Sequence, residues 1–295
     1  MYSSCLHTHT NFCDGKGDVE AFCRAAWEKG LSAIGFSAHA PMAKKTGLKT
    51  DWHLNDDRLG EYIDTVNAAR RRWAGKLPVY LGLEIDYIKG LISPADRDYQ
   101  SLGLDYSIGS VHYIFPPDGG EPFTVDSSAE EFARDAARHF SGDGETLAET
   151  YWDAVEGMIS AGGFDILGHL DIICKNNTQG EYFDARGSRY CKRIRKIAPL
   201  AAHSGAVIEV NTGGLNRGRT TEPYPSLDLL RLLREHQAPV TVTSDAHEPA
   251  HLGGHYGIAR ETLLQAGYTE TAEFEGPGKP WKKITITRHL ANREE

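Results

Sequence analysis

Seven short apolar runs punctuate this chain, and each ends on a polar or ionisable residue. They are SSCLH (3–7), AIGFSAH (33–39), VYLGLE (79–84), YSIGSVH (106–112), DILGH (165–169), AVIEVN (206–211) and VTVTSD (240–245). The runs are nearly continuous rather than cleanly alternating, the pattern of parallel strands covered on both faces. Between them lie amphipathic or helix-rich stretches at 18–29, 57–74, 129–140, 145–161, 187–204 and 225–236. Asp18 is placed as an N-cap and Gly30 as a stop for the first. Pro225 is placed to open the last.

Strands alternating with helices imply βα units and a parallel sheet. Seven units without a Gly-, Ser- or Pro-rich linker predict one domain over 1–295, a closed or nearly closed α/β barrel. An open doubly wound sheet is the alternative; it more often carries a Gly-rich phosphate loop after its first strand, where this chain reads HTHTNFCDGKG. The segment 115–150 is too long for a simple connection and reads as an insertion at the rim, a candidate lid. A last strand is expected at 283–287, then a frayed end.

Composition narrows the class. Of 295 residues, 40% are apolar and 25% charged, as in ordinary globular proteins. No apolar run approaches the ~20 residues that span a bilayer, and the first residues lack the pattern of a signal peptide. A net charge of −9 argues against extended nucleic-acid binding. It leaves room for a small anionic substrate wherever a metal supplies local positive charge. The five cysteines are scattered, with no CxxC, which predicts free thiols in a reducing, cytoplasmic setting. Cys13, beside Asp14, is the one nearest to candidate chemistry.

The ends of the runs carry that chemistry. In order they present His7 and His9, His39, Glu84, His112, His169, Asn211, then Asp245 and His247. Parallel barrels build their sites at this end of the strands. His7 and His9 are two apart, so on a strand they face one side. Of thirteen histidines, six fall at these places. Glu84 sits inside an apolar run, where a carboxylate is expensive unless paired or ligated. Imidazole and carboxylate without thiolate suit Zn, Mn or Fe. The ligands are too many for one ion and fit two or three, with Glu84 able to bridge. His139, His203 and His236 fall in helices; His53, His251, His255 and His289 are expected in solvated loops or the tail.

Taken in order, HTHTNFCDG, GFSAHAP, GLEIDY, GSVHY, ILGHLD, EVNTGG and TSDAH resemble the polymerase-and-histidinol-phosphatase (PHP) superfamily from residue 5 to about residue 265. FSAHAPM, EVNTGGLNRG and PYPSLDLLRLLREH are most similar to its histidinol-phosphatase branch. The resemblance implies a distorted TIM-like (β/α)7 barrel, a trinuclear metal centre and hydrolysis of a small phosphomonoester, L-histidinol phosphate. By position, His7, His9, Glu84 and Asp245 would hold one ion, and Glu84, His112 and His169 a second. Asp14, His39 and His247 would hold the third. Many members place a His after the Cys, in a stretch like CPHG; FCDGKG offers Asp14 instead, with Glu20 a few residues on. The implied chemistry is in-line attack of water on phosphorus, with Asp245 or His247 protonating the leaving alkoxide. Arg217 and Arg219 in GGLNRGR, and Lys175, are candidate phosphate donors. Asn211 would touch substrate or orient a ligand.

Three other readings share parts of this pattern. One is a PHP phosphoesterase acting on a nucleotide, a sugar phosphate or an oligonucleotide end. Another is a non-catalytic metal-binding module, which would have lost ligands. A TIM-barrel amidohydrolase also begins H-x-H but uses a bridging Lys, and neither Lys89 nor Lys175 lies in a strand run.

Overall fold

The computed structural model describes residues 4–48 and 50–287. Its sheet holds six parallel strands side by side in chain order: β1 (Ile34–His39), β2 (Val79–Asp86), β3 (Tyr106–Ser110), then β6 (Ile166–Leu167), β7 (Val207–Asn211) and β8 (Val240–Thr243). The hairpin of β4 (Tyr113–Ile114) and β5 (Phe123–Thr124) stands between β3 and β6 in sequence. β9 (Glu270–Glu273) and β10 (Lys282–Thr285) form a second antiparallel pair. The helices between successive barrel strands are α2 (Ala43–Thr46) and α3 (Leu59–Arg72) after β1, and α4 (Arg97–Gln100) after β2. Then follow α5 (Ala129–Phe140) and α6 (Gly144–Ala161) after β3, α7 (Ser188–Ala202) after β6, and α8 (Gly213–Asn216) and α9 (Leu227–Glu235) after β7. α1 (Val19–Glu28) precedes β1, and α10 (Tyr256–Gln265) follows β8.

The first run is not a regular strand. It makes single parallel bridges, Cys5 to Ile34 of β1 and Thr8 to Ala246 beyond β8. Gly35 donates to the Cys5 carbonyl at 2.8 Å, and His9 to that of Ala246 at 2.9 Å. This segment therefore spans the gap between β1 and the end of β8, giving the distorted barrel its seventh stave. Smaller departures follow from local chemistry. The run at 165–169 contributes only a two-residue strand. Ser226 takes the N-cap position of α9, with Pro225 outside the helix. The expected strand at 283–287 is observed as β10. The expected frayed end and His289 lie outside the described residues.

The strands are buried on both faces, as expected, but only one face of each is apolar. Phe36 and Ala38 of β1, and Leu81, Leu83 and Ile85 of β2, pack in one apolar cluster with α1 and α3 residues such as Phe22 and Tyr62. Ile208 and Val210 of β7, and Val240 and Val242 of β8, pack in another with residues of α6, α7 and α9. The intervening positions form a second series: Gly35, Ser37, His39; Gly82, Glu84, Asp86; Glu209, Asn211; Thr241, Thr243. One face of each strand joins the helices, and the other carries small, polar and finally ionisable side chains. Short glycine and serine positions disguise this alternation as an unbroken run.

Tyr106 plugs the interior beside Leu6, Ile108 and Ile166, and its hydroxyl donates to the Leu6 carbonyl. A Cβ on Gly82 would stand 2.6 Å from the Tyr106 ring. Gly82→Ala is therefore expected to destabilise the protein by about 1–3 kcal/mol, the usual cost of overpacking. Gly60→Ala in α3, with nothing within 4 Å of the new methyl, is expected to be neutral or stabilising. Thermal unfolding of the two variants beside the wild type checks this; equal Tm changes would contradict it.

Candidate metal centre

Parallel, in-register strands bring their ends to one rim. His39 pairs in register with Glu84, and Asp86 with Ser110. There the chain assembles four overlapping donor groups, in each of which one atom per residue lies within 4.8 Å of the others. They are His9, Asp14, His39 and His247; His7, Glu84 and His169; His7, His9 and Asp245; and His39, Glu84 and His112. All nine residues expected to ligate metal from the sequence and its resemblance are in these groups, Asp14 included. Glu20 is elsewhere, bonded to Arg72 and Trp73.

Glu84 is the hub. Its Oε1 lies 2.8 Å from His169 Nε2 and 3.5 Å from His112 Nε2. Its Oε2 lies 3.1 Å from His7 Nε2, 3.5 Å from His9 Nε2 and 3.0 Å from His39 Nδ1. Asp245 Oδ1 lies 3.4 Å from His9 Nε2 and 3.7 Å from His7 Nε2. Two atoms bound to one tetrahedral ion at ~2.1 Å are themselves about 3.4 Å apart. His7 Nε2, His9 Nε2, His39 Nδ1 and Glu84 Oε2 are buried with no hydrogen-bond partner. Buried polar atoms are seldom left so, and these four face one another. The donor set therefore fits divalent ions: hard carboxylate and borderline imidazole, with one carboxylate placed to bridge.

Burial lowers His7, His39 and His112, but the neighbouring carboxylates outweigh it, raising His7 and His39 and bringing His112 to about 10. Burial raises the Glu84 carboxyl, but the imidazoles of His7, His39 and His112 outweigh it and hold the group well below its usual range. Asp245 is likewise raised by burial and brought well below by Arg217 and His7. Burial, with His247 and His39 nearby, lowers His9 to about 3, so it is the neutral imidazole a metal requires.

A further layer fixes the rings. Glu209 Oε1 meets His7 Nδ1 at 2.6 Å, and Asp86 Oδ1 meets His112 Nδ1 at 2.9 Å. Cys13 Sγ lies 3.5 Å from His9 Nδ1. Arg217 Nη1 donates to His247 Nδ1 at 3.0 Å. His247 Nδ1 also lies 3.1 Å from the Asp245 carbonyl, and its Nε2 lies 3.0 Å from Asp14 Oδ2.

The candidate substrate residues separate. Arg217 is at the centre, with Nη2 on Asp245 Oδ2 at 3.2 Å. Arg219 is exposed and has no ion pair among the described residues. Lys175 Nζ is occupied by the Asp126 carbonyl and Oδ1, both at 2.6 Å. Asn211 is fully engaged: its amide reaches Glu209 at 3.0 Å and Asp245 at 3.3 Å, and its Oδ1 accepts from Gly213 at 2.7 Å.

Three residues escaped the sequence reading. Glu209 is fully buried and, besides His7, accepts from Thr243 at 2.6 Å and the His169 backbone at 2.8 Å. Asp86 holds both His112 and His53. His53, expected in a solvated loop, is instead 7% exposed, with Nε2 on Asp86 at 2.8 Å and Nδ1 on Thr50 at 2.7 Å. The rule that singled out Glu84, a carboxylate within an apolar run, applies equally to Glu209 in AVIEVN. Asp86 is two residues beyond Glu84, on its face of the strand.

Comparison with known proteins places this arrangement. The model of the PHP domain matches residues 6–213. The chain belongs to the PHP domain family. A relative of this PHP domain from Deinococcus radiodurans, named "Probable histidinol-phosphatase", is 30% identical over 262 residues, covering 88% of this chain and 92% of the other. The "Histidinol-phosphatase" of Bacillus subtilis is 26% identical over 275 residues, covering 88% and 97%. The crystal structure of histidinol phosphate phosphatase from Lactococcus lactis, complexed with zinc, L-histidinol and phosphate, superposes with a TM-score of 0.66. It shares 21% identity and covers 95% of this chain and 98% of its own; this likeness establishes the shared fold.

Removing a carboxylate behind a ligating histidine typically costs 10–100-fold in metal affinity. Glu209→Gln is expected to weaken binding of the ion that His7 would ligate by that factor, with far-UV circular dichroism unchanged. Competition with a chromophoric chelator measures it; wild-type affinity would contradict the role given to Glu209.

Proposed function

We propose that this PHP domain is a metal-dependent phosphomonoesterase that converts L-histidinol phosphate and water to L-histidinol and phosphate, a step of histidine biosynthesis. One observation carries the reading: five imidazoles from four segments surround the Glu84 carboxylate, with Asp245 and Arg217 beside them. The names of the relatives supply the substrate. We read the whole chain, 1–295, as one catalytic unit working in the cytoplasm, where its five cysteines stay free.

In this reading three ions, of zinc, manganese or iron, would be bound: His7, His9, Glu84 and Asp245 would hold one, Glu84, His112 and His169 the second, and Asp14, His39 and His247 the third. When bound, such ions acidify a water molecule and clamp phosphoryl oxygens. The protein's own groups do the rest. Glu209 and Asp86 keep His7 and His112 in fixed orientation. Arg217 presents a charged fork to the phosphate from the Asp245 side. Asp245, kept ionised beside Arg217 and steadied by Asn211, is placed to take the proton of the attacking water and return it to the leaving alkoxide. Arg219, exposed at the next turn, is a second phosphate donor. Lys175 acts through Asp126, which it neutralises.

Phosphate release from L-histidinol phosphate is expected to vanish after chelation and to return on adding zinc or manganese. Activity that survives exhaustive chelation would contradict a metal mechanism. Metal-dependent activity on a nucleotide or sugar phosphate, with none on L-histidinol phosphate, would favour the wider phosphoesterase reading.

A further inference from the structure

Beside the metal centre is a cavity of about 370 Å³, and Asp14 and His39 form part of its wall. His39 is 5% exposed, and its Nδ1 has no hydrogen-bond partner. Asp14 and His39 belong to one of the donor groups, so the cavity opens on the place an ion would occupy. The rest of its lining includes Asp51, Asp126, Glu131 and Asp135, with Arg134 as the one cation. These carboxylates are not equivalent. Asp135 is paired with Arg134 at 3.0 and 3.3 Å, and Asp126 with Lys175. Glu131 caps α5 through Ser128. Asp51 is exposed and has no hydrogen-bond or ion-pair partner among the described residues. Next to it, Trp52 sets its ring 4.7 Å from that of His39, at 87°, and stacks on Tyr113 with centroids 5.7 Å apart.

This lining is unsuited to a ligand that is anionic throughout. A phosphate must sit at the ions, and the group attached to it then lies beside the unpaired Asp51 carboxylate and an indole. We propose that this cavity selects phosphomonoesters whose leaving alcohol carries a cationic nitrogen, with Asp51 and Trp52 as its specificity-determining residues. Asp51 pairs with the ammonium or imidazolium, and the face of Trp52 supports the cation. The proposal rests on the phosphomonoesterase reading and deepens it, because it separates aminated substrates from sugar phosphates and nucleotides by charge. Screening weakens exposed pairs of this kind, so the selection falls with ionic strength.

The test uses the metal-loaded full chain and two matched pairs of substrates. One pair is L-histidinol phosphate and the same alcohol phosphate without its amine, assayed at about pH 8, where a free imidazole is neutral; the other is O-phosphoethanolamine and ethyl phosphate. The readout is the ratio of kcat/KM, cationic over neutral, within each pair. The wild type is expected to favour the cationic member, and Asp51→Asn to lower the ratio about 2- to 5-fold through KM, the scale of an exposed ion pair. Asp51→Lys is expected to lower it about tenfold. Asp51 is at the surface, so both variants should fold, and their Tm values check that. Ratios unchanged in both variants, or near one in the wild type, would overturn the proposal. If L-histidinol phosphate is not hydrolysed but O-phosphoethanolamine outruns ethyl phosphate in an Asp51-dependent way, the substrate assignment fails and charge selection stands.

Discussion

A buried carboxylate at the centre of the barrel organises this molecule. Glu84 is 1% exposed and has five imidazoles within 3.5 Å. A charge in that position is tolerable only if opposite charge surrounds it and hydrogen bonds complete its shell. Glu84 in turn justifies the burial of the histidines. Glu209 and Asp86, one layer out, repeat the arrangement and set which nitrogen of His7 and His112 faces inward. The cluster is a single electrostatic unit, and a change to one member reaches the others.

The barrel makes that unit possible. Its strands run parallel in chain order, so each contributes its carboxyl end to the same rim. Their apolar faces are consumed by the helices outside, leaving the inward positions free for glycine, serine, threonine and the ligands. Tyr106 closes the interior behind the site, against Gly82 and the Leu6 carbonyl. The first segment, held by single bridges on both edges, delivers His7 and His9 from the seam between β1 and β8.

Much of this was legible in the sequence because the candidate ligands mark the ends of the strands. H-x-H, a carboxylate inside VYLGLE and the D-x-H of TSDAH are local signals, and the resemblance supplied Asp14. The six expected helices were also legible, since an amphipathic period survives small errors at its ends; α10 (Tyr256–Gln265) was not expected. The inward alternation was harder to read, because Gly35, Ser37 and Gly82 are too small to break an apolar run visibly. His53 was missed because its partner, Asp86, lies on another element, and nothing near His53 announces burial. Lys175 shows the opposite failure: a cation near a strand end looked available for phosphate, and Asp126, about fifty residues away, already holds it.

Whether Glu84 bridges two ions is the claim on which the account turns. Elemental analysis of purified wild type and Glu84→Gln after equal exposure to excess metal and desalting tests it directly. The account predicts about three ions per chain in the wild type and a loss of two together in the variant. Three ions retained in Glu84→Gln would contradict it.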